Sequence, residues 1–310
     1  MIWVAAVAGV VFAAVVLVRL LMARTGRVLH TTRLRLHIPG LHPALEGTCV
    51  ALLSDLHVGR LHVPVEQLLE AVRREHPAIL LLGGDYAAER DDEPAALAVV
   101  ERLSAERPTF GIVGNSDRHG GLDLVALRRV LQVGGGDLLI NQVARVNIEG
   151  ATIEILGVDD PLRGNADVDA TAAQAGADAD VRIGLCHSPE AWRDLPRLRA
   201  QIALAGHSHG GQIRLPGLEA QFTHLTYPRQ LASGLFRYEM AGELPRRLSS
   251  HSEVLRTNGP LDVSTEDGPL LYVTRGVGMG VVPVRVFCPP EMVVIEFVRA
   301  DEAGGGHDDG

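Results

Sequence analysis

Polar residues that could bind metal ions stand at the ends of five apolar segments. Each segment is rich in Val, Ile, Leu or Ala and stops at a small residue, and Asp, His or Asn follows. In chain order the segments are VALLSDLH, ILLLGGDY, FGIVGNSD, RIGLCHSPE and IALAGHSHGG, and they present Asp55, His57, Asp85, Asn115, His187, His207 and His209. Because ligands of α/β sheets bind beyond the carboxyl ends of strands, we expect these side chains to converge at one sheet edge.

The types of these residues indicate the metals and the reaction. Imidazole, carboxylate and amide groups without a thiolate suit Mn, Fe or Zn. Seven ligands are too many for one ion in an open catalytic site, but they fit two divalent ions that share a bridging carboxylate. Such a pair produces hydroxide from a bridging water and stabilises an in-line displacement at phosphorus. The residues therefore predict a dinuclear centre.

Each segment taken alone has an ordinary structural explanation. Asp-x-His and Gly-Gly-Asp are typical of turns, and His187 before Ser-Pro could cap a helix. The GHSHGG segment is more informative, because two His at i and i+2 on a strand point the same way. Its glycines, Gly210 and Gly211, would let the backbone pass close to the site. All five segments in this order favour a shared metal site.

The elements around these segments alternate between strand and helix patterns, which predicts an α/β layered domain with a mixed sheet. Helices are predicted at 64–75, 94–106, 122–132 and 189–199, and 166–177 is expected to be helical or irregular. Strands are predicted at 48–55, 78–82, 109–113, 137–140, 143–148, 152–157, 181–186, 201–205, 270–274, 281–287 and 292–298. The alternating RLRLHI stretch is expected to be an edge strand.

The N-terminus is predicted to be a transmembrane anchor over 1–23. Its apolar stretch is interrupted only by Arg19, and as a helix it spans roughly 30 Å, the thickness of a bilayer core. A cleaved signal peptide is the competing interpretation, but no basic residue precedes the apolar run. The basic residues on its C-terminal side are Arg19, Arg24, Arg27, Arg33 and Arg35. Because basic residues that flank a membrane span tend to remain on its cytoplasmic side, we expect the catalytic domain on the cytoplasmic side of the inner membrane.

The rest of the chain is predicted to be one domain with few additions. A linker and the edge strand occupy 24–47, and the catalytic domain occupies 48–299. Residues 240–268 are polar and weakly patterned, so they are expected to form an insertion or lid. The Gly- and Asp-rich tail, 300–310, is expected to be disordered. The net charge of -9 argues against nucleic acid as a partner.

The five segments together resemble the calcineurin-like metallophosphoesterases, whose signature runs D-x-H, G-D, G-N-H-(D/E), H and G-H-x-H. Within that family the extended GHSHGGQIRLPG form is similar to the bacterial membrane-anchored phosphodiesterases, which include UDP-2,3-diacylglucosamine hydrolases. The resemblance implies a two-sheet β-sandwich flanked by helices in four layers. It also implies that Asp55, His57 and His209 hold one metal, that Asn115, His187 and His207 hold the other, and that Asp85 bridges them.

Ser116 departs from the family pattern, which has His at this position. That His is credited with stabilising the transition state or protonating the leaving group, and a serine hydroxyl cannot supply a proton as imidazolium can. His119 is the candidate substitute, with His62 as an alternative. A phosphate leaving group departs without a proton, and a family relative that cleaves a nucleotide-lipid pyrophosphate also lacks this His. Ser116 therefore favours a pyrophosphate or activated diester over an alkyl monoester.

The predicted function is hydrolysis of a phosphodiester or pyrophosphate bond by a metal-bridging hydroxide, and the anchor favours a lipid-linked substrate, which would place the enzyme in lipid metabolism. Arg60, Arg118 and Arg163 are candidate phosphate contacts, although a solvated surface arginine is the more ordinary interpretation of each. One alternative is a broad phosphodiesterase for soluble nucleotides. Another is a catalytically weak metal-binding module that recruits a partner.

Overall fold

The structure is a computed structural model that describes residues 25–214, 228–240, 243–257 and 259–300, with the single positions 9, 220 and 223. The helices are α1 (Val65–Glu75), α2 (Glu93–Ser104), α3 (Asn115–Gly120), α4 (Leu124–Val133), α5 (Val168–Ala172) and α6 (His251–Arg256). The first strands are β1 (His30–Ile38), β2 (Cys49–Leu53), β3 (Ile79–Leu82), β4 (Thr109–Gly111), β5 (Asp137–Leu138), β6 (Gln142–Ile148) and β7 (Ala151–Gly157). The remaining strands are β8 (Val181–Leu185), β9 (Ile202–Ala205), β10 (Gly234–Arg237), β11 (Arg246–Ser249), β12 (Leu261–Ser264), β13 (Leu270–Val273) and β14 (Glu291–Arg299).

These strands form two mixed sheets of seven strands each. The first has the order β12-β1-β14-β2-β3-β4-β5 and the second β11-β10-β13-β9-β8-β7-β6. Strands β2, β3, β4 and β5 run parallel, and so do β7, β8, β9 and β13. The carboxyl ends of the parallel strands in each sheet therefore lie at one edge, as the sequence predicts for the polar residues.

The apolar central strands are buried on both faces, because each sheet packs against the other sheet on one face and against helices or loops on the other. The fold therefore has four layers. In β2 and β3, Leu52 and Leu81 contribute to the core between the two sheets, whereas Leu53 and Leu82 contribute to the core against the helices. Helix α1 covers that second face with a buried apolar stripe that includes Leu68. A fold of two mixed sheets flanked by helices is thus confirmed.

Three predicted elements are wrong in detail. The RLRLHI stretch lies in β1, which pairs with both β12 and β14, so it is not an edge strand. Its alternation arises because one face of the sheet is exposed to solvent there. The predicted helix 189–199 is two short 3-10 turns, since Pro196 interrupts an α-helix. The predicted strand 281–287, which contains Pro283, makes one isolated bridge, between Val286 and Ile213.

The expected insertion, 240–268, contributes to the described fold at two places. Strand β11 pairs with β10 in the second sheet, and β12 pairs with β1 in the first. The predicted anchor 1–23 falls outside the described residues except at position 9, and the predicted tail does so from 301 onward. Among the helices that are described, none is long and apolar enough to cross a bilayer.

Candidate metal centre

Most of the predicted ligands have an unusual backbone conformation. The residues with positive φ among them are Asp55 (55°), His57 (39°), Asp85 (57°), His207 (68°) and His209 (50°). Residues with a β-carbon rarely adopt the left-handed region, and such strain is concentrated at functional sites. Each of these residues follows the carboxyl end of β2, β3 or β9, where the chain turns sharply out of the sheet.

The first group of ligands joins the ends of β2 and β9. Asp55, His57 and His209 are buried, and one potential ligand atom from each lies within 4.8 Å of the others. The two imidazole Nε2 atoms are 3.2 Å apart, and His209 Nε2 lies 3.7 Å from Asp55 Oδ1. This first triad offers two nitrogens and a carboxylate to a single point.

The second group joins the ends of β3, β8 and β9. Asp85, His187 and His207 form the second buried triad, again with ligand atoms within 4.8 Å. Asn115 Oδ1 lies 3.0 Å from His187 Nε2, which adds the amide oxygen that the sequence predicts. The Nδ1–H of His187 donates to the carbonyl of Gly83 at 2.7 Å, and this bond directs Nε2 at the site.

Asp85 connects the two triads. Its Oδ2 atom lies 3.3 Å from His57 Nε2 and 3.4 Å from His187 Nε2. A single carboxylate is therefore within reach of ligands from both groups. A carboxylate so placed could serve as a ligand shared by two ions.

The electrostatics of the site fit positively charged ions. Burial opposes ionisation of Asp85, but His187 and His57 hold the pKa of its carboxyl well below the usual range. Burial also opposes protonation of His187, yet Asp85, Asp55 and Asp160 raise its pKa to about 10. Burial, His57 and Arg285 lower the pKa of His209, so its ring is neutral with a lone pair available. The same carboxylates that raise the pKa of His187 would stabilise a bound divalent ion, which would replace the proton on its imidazole.

One sequence argument about the histidines is wrong. His207 and His209 were expected to point the same way from a strand, but β9 ends at Ala205 and both follow in a left-handed turn. They belong to different triads, which agrees with the assignment that the family resemblance implies. The turn separates them because positive φ breaks the two-residue periodicity of a strand.

Asp117 and Ser116 organise this centre from the start of α3. The carboxylate of Asp117 accepts the backbone N–H groups of Gly114, Asp85 and Tyr86, each at 2.8 Å. It caps α3, as a turn residue does, and also fixes the end of β3. Ser116 donates its N–H and its hydroxyl to the two oxygens of Asp85, at 2.8 and 2.9 Å. No local pattern in the sequence indicates the Ser116 contacts, which join residues 31 positions apart.

Arg285 is a further positioning residue that the sequence analysis missed. Its guanidinium is fully buried and donates to the carbonyls of Arg275, Gly276, Gly278, His209 and Cys288, at distances of 2.6–3.4 Å. Gly278 in turn donates its N–H to the carbonyl of Asp55 at 2.7 Å. The arginine therefore ties the segment after β13 to the first triad. A lone Arg in VPVRVF carries no local signal of this role.

A cavity of about 590 Å³ lies beside the triads. Asn115 and Ser116 line it, together with Arg60, Arg163 and the exposed His119. A smaller cavity of about 220 Å³ contains His57, Asp85, His207 and His209 and shares Arg60 and Val281 with the larger one.

The other candidate contacts lie elsewhere. Arg118 is not among the residues that line either cavity, and it pairs instead with the buried Asp159 at 2.8 Å. His62 is exposed and also lines neither cavity. Arg60, which does line both, pairs with Glu89 at 2.6 Å. The candidate phosphate contacts beside the centre are therefore Arg60 and Arg163, and the candidate proton donor is His119.

Comparison with known proteins gives a consistent picture. Residues 50–211, just over half of the chain, match the family model described as calcineurin-like phosphoesterase. The uncharacterized metallophosphoesterase YkuE of Bacillus subtilis is 26% identical, with 80% of this chain and 78% of the relative covered. YkoQ of the same organism, also described as an uncharacterized metallophosphoesterase, is 23% identical, with 81% of this chain and 83% of the relative covered. The phosphodiesterase YaeI of Escherichia coli is 29% identical, with 80% of this chain and 82% of the relative covered.

Proposed function

Because the chain belongs to the calcineurin-like phosphoesterase family and is a metal-dependent phosphoester hydrolase, we propose that it cleaves a phosphodiester or pyrophosphate bond with two divalent ions. The observation that carries the proposal is the placement of Asp85 Oδ2 between His57 and His187. The name of the relative YaeI, a phosphodiesterase, supports the reaction class.

The proposed ligands divide along the two triads. Asp55, His57 and His209 would hold one ion, Asn115, His187 and His207 would hold the other, and Asp85 would contribute to both sites. When bound, the ions would lower the pKa of a water molecule and so supply the hydroxide nucleophile, and they would also stabilise negative charge on the phosphoryl group. Mn, Fe and Zn all suit this set of nitrogen and oxygen donors.

The residues of the chain itself orient this chemistry. Gly83 fixes the His187 ring through Nδ1, and Ser116 holds both oxygens of Asp85. The adjoining cavity would take the rest of the substrate, with Arg60 and Arg163 near its phosphate oxygens. His119 is the residue that we propose as a secondary proton donor, less effective than a histidine at position 116 would be, since its exposed imidazole lines the larger cavity but not the smaller one that contains His57 and Asp85.

The chemistry of Ser116 favours good leaving groups. Its hydroxyl is engaged with Asp85 and cannot protonate an alkoxide at neutral pH. We therefore extend the proposal to pyrophosphate-linked or activated diester substrates. A substrate panel of UDP-linked lipids, polyprenyl pyrophosphates and nucleotide diesters would identify the class, and alkyl monoesters hydrolysed equally fast would contradict it.

The location proposed for the enzyme is the cytoplasmic face of the inner membrane. The apolar sequence of 1–23 and the arginines that follow it support an anchor with this orientation. A lipid-linked substrate is consistent with such an anchor. Activity of a C-terminal reporter fusion only outside the cytoplasm would refute the orientation.

Metal analysis combined with a bis-p-nitrophenyl phosphate assay tests the proposed reaction. We expect two ions per chain in the wild type, and a loss of activity of more than about 100-fold in Asp85→Ala and His207→Ala, because both remove a proposed ligand. Asp123→Ala, which removes a helix cap away from the centre, is the control and should retain activity. Two bound ions with no turnover would favour the metal-binding recruitment module.

A further inference from the structure

The N-terminal segment joins the fold at the sheet edge that carries the metal centre. The backbone N–H of His30, the first residue of β1, donates to the carbonyl of Pro290 at 2.8 Å. His30 is in register with Glu291 at the start of β14. Because β14 runs antiparallel to β2, its start lies at the end of β2 that leads to Asp55. Residues that precede β1 therefore approach the fold from the side of the site.

Exposed apolar side chains are concentrated at this edge. Among the described residues, eight large hydrophobic side chains are exposed. One of them lies two residues before β1, and three lie in the segment 281–287, which ends three residues before Pro290. These four are Val28 (59% exposed), Val281 (74%), Val282 (53%) and Phe287 (44%), and we call them the apolar rim. Single exposed hydrophobic residues are ordinary, whereas a group of them marks an interaction surface.

The loop 280–284, which carries Val281 and Val282, is held in place by Gln212, which follows the metal-site residue His209. The side-chain amide of Gln212, three residues after His209, donates to the carbonyls of Val282 and Val284 at 2.6 and 3.1 Å. Its oxygen accepts the N–H of Gly280 at 2.5 Å. The apolar side chains are thus presented outward by a loop whose backbone polar groups are bonded internally. An apolar surrounding tolerates backbone groups only when they are satisfied in this way.

The rim is continuous with the substrate cavity. Val281 lines both the larger cavity, with Arg163, and the smaller one, with His57 and Asp85. A molecule that contacted the rim would therefore be next to the proposed reaction centre.

We propose that the apolar rim rests on a lipid bilayer, so that the metal cavity opens toward the membrane surface. This inference rests on the proposed function, in particular on the anchor at 1–23. Five residues separate position 24 from His30, and at most about 17 Å can be spanned by them. Such a short connection keeps this edge near the bilayer, where the exposed apolar side chains can contact lipid.

Fluorescence quenching in vesicles tests the orientation directly. The full chain is reconstituted in phosphatidylethanolamine–phosphatidylglycerol vesicles that contain doxyl-labelled phosphatidylcholine. An environment-sensitive dye is attached to Val282→Cys or, as the matched control, to Val133→Cys, both in a Cys49→Ser background. Val133 is an equally apolar, 83% exposed residue at the end of α4. We expect strong quenching and a blue shift at position 282 and neither effect at 133. Absence of quenching at 282, equal quenching at both positions, or no association with vesicles would overturn the proposal.

An activity measurement separates this inference from the proposed function. Hexadecyl p-nitrophenyl phosphate is placed in the same vesicles, and bis-p-nitrophenyl phosphate is supplied in solution. Val282→Asp should lower hydrolysis of the vesicle-bound ester about tenfold, because an exposed valine that is proposed to contact lipid is replaced by a charge, while hydrolysis in solution is unchanged. Val133→Asp should alter neither rate. Equal effects of Val282→Asp on both substrates would overturn the rim proposal. If the wild type hydrolysed neither substrate, the proposed function would fail, and the quenching result would still decide the orientation.

Discussion

The carboxylate of Asp117 accepts the backbone N–H of Asp85 at 2.8 Å, which links the start of α3 to the residue shared by the two triads. The same oxygen accepts the N–H of Gly114, and the second oxygen accepts that of Tyr86. Because a carboxylate has only acceptors, it can satisfy all three donors at once. Asp117 therefore positions the centre without contributing a ligand.

Asp117→Asn should weaken both the fold and the second metal site. The amide of Asn cannot accept on both sides, so at least one buried N–H loses its partner at a cost of about 2–3 kcal/mol. We expect a lower free energy of unfolding in denaturant titrations and roughly 10- to 100-fold weaker binding of one ion in metal titrations. Asp123→Ala is the control, since it should cost about 1 kcal/mol through its helix cap without changing metal affinity. Unaltered metal affinity in Asp117→Asn would show that the carboxylate is dispensable to the site.

Ser116→His should change which leaving groups are tolerated. Restoring an imidazole beside the cavity offers a proton to an alkoxide, which the hydroxyl of Ser116 cannot do. We expect the ratio of alkyl-monoester to bis-p-nitrophenyl phosphate turnover to rise about tenfold or more, measured as kcat/KM. Ser116→Ala is the companion variant, because it removes the bond to Asp85 without adding an acid. A similar ratio in all three proteins would contradict the explanation based on leaving groups.

Glu291→Gln should destabilise the junction between β14 and β13. Glu291 is fully buried, accepts the hydroxyl of Tyr272 at 2.8 Å and pairs with the buried Arg275 at 2.9 Å. Neutralising it leaves a buried guanidinium without its counter-charge, which costs about 3–5 kcal/mol of unfolding free energy. The control is Glu296→Gln, whose exposed pair with Arg35 should contribute less than about 1 kcal/mol. Comparable losses for the two variants would refute the distinction.

His251 should make stability depend on pH. Burial and the nearby Arg214 and Arg275 lower the pKa of His251 to about 3, with Glu291 opposing them. The folded state therefore keeps His251 neutral, whereas the unfolded chain protonates it below pH ~6.5. Its contribution to stability is complete above about pH 6.5 and is lost as pH falls toward 3, by up to about 1.4 kcal/mol per pH unit.

The variant His251→Gln isolates this effect, because Gln retains an N–H donor for the carbonyl of Phe287 and does not titrate. Unfolding free energies of both proteins are measured across this pH range. We expect the wild type to lose stability relative to the variant as pH decreases. A constant difference would show that His251 is not buried in its neutral form.

The strands and their polar ends could be predicted from sequence because the signal is local. An apolar run that stops at Asp55 or Asp85 is visible within eight residues. Pairing across the sheet is not local, and so β1 was expected at an edge although it lies between β12 and β14. Apolar periodicity predicted a helix through Pro196, but a proline ring inside a helix removes a backbone hydrogen bond and interrupts it.

The candidate site divides in the same way. The residue types of the seven proposed ligands stand out in sequence because Asp, His and Asn rarely end buried strands together. The contacts that orient them come from distant parts of the chain, as with Arg285 and the carbonyl of His209, 76 positions apart. The positive φ of His207 and His209 could not be predicted from sequence either, because residues other than glycine rarely adopt it.

The left-handed backbone at Asp55, His57, Asp85, His207 and His209 has a consequence for directed evolution. Each such residue costs the native state about 1–2 kcal/mol that glycine would not. A selection for heat resistance that ignores turnover therefore exerts two opposing pressures at these positions. Glycine relieves the backbone strain, but loss of the side chain leaves buried donors such as the N–H of Ser116 without an acceptor. Wherever the relief is larger, a library screened only for soluble, robust protein would discard the enzyme while improving the scaffold.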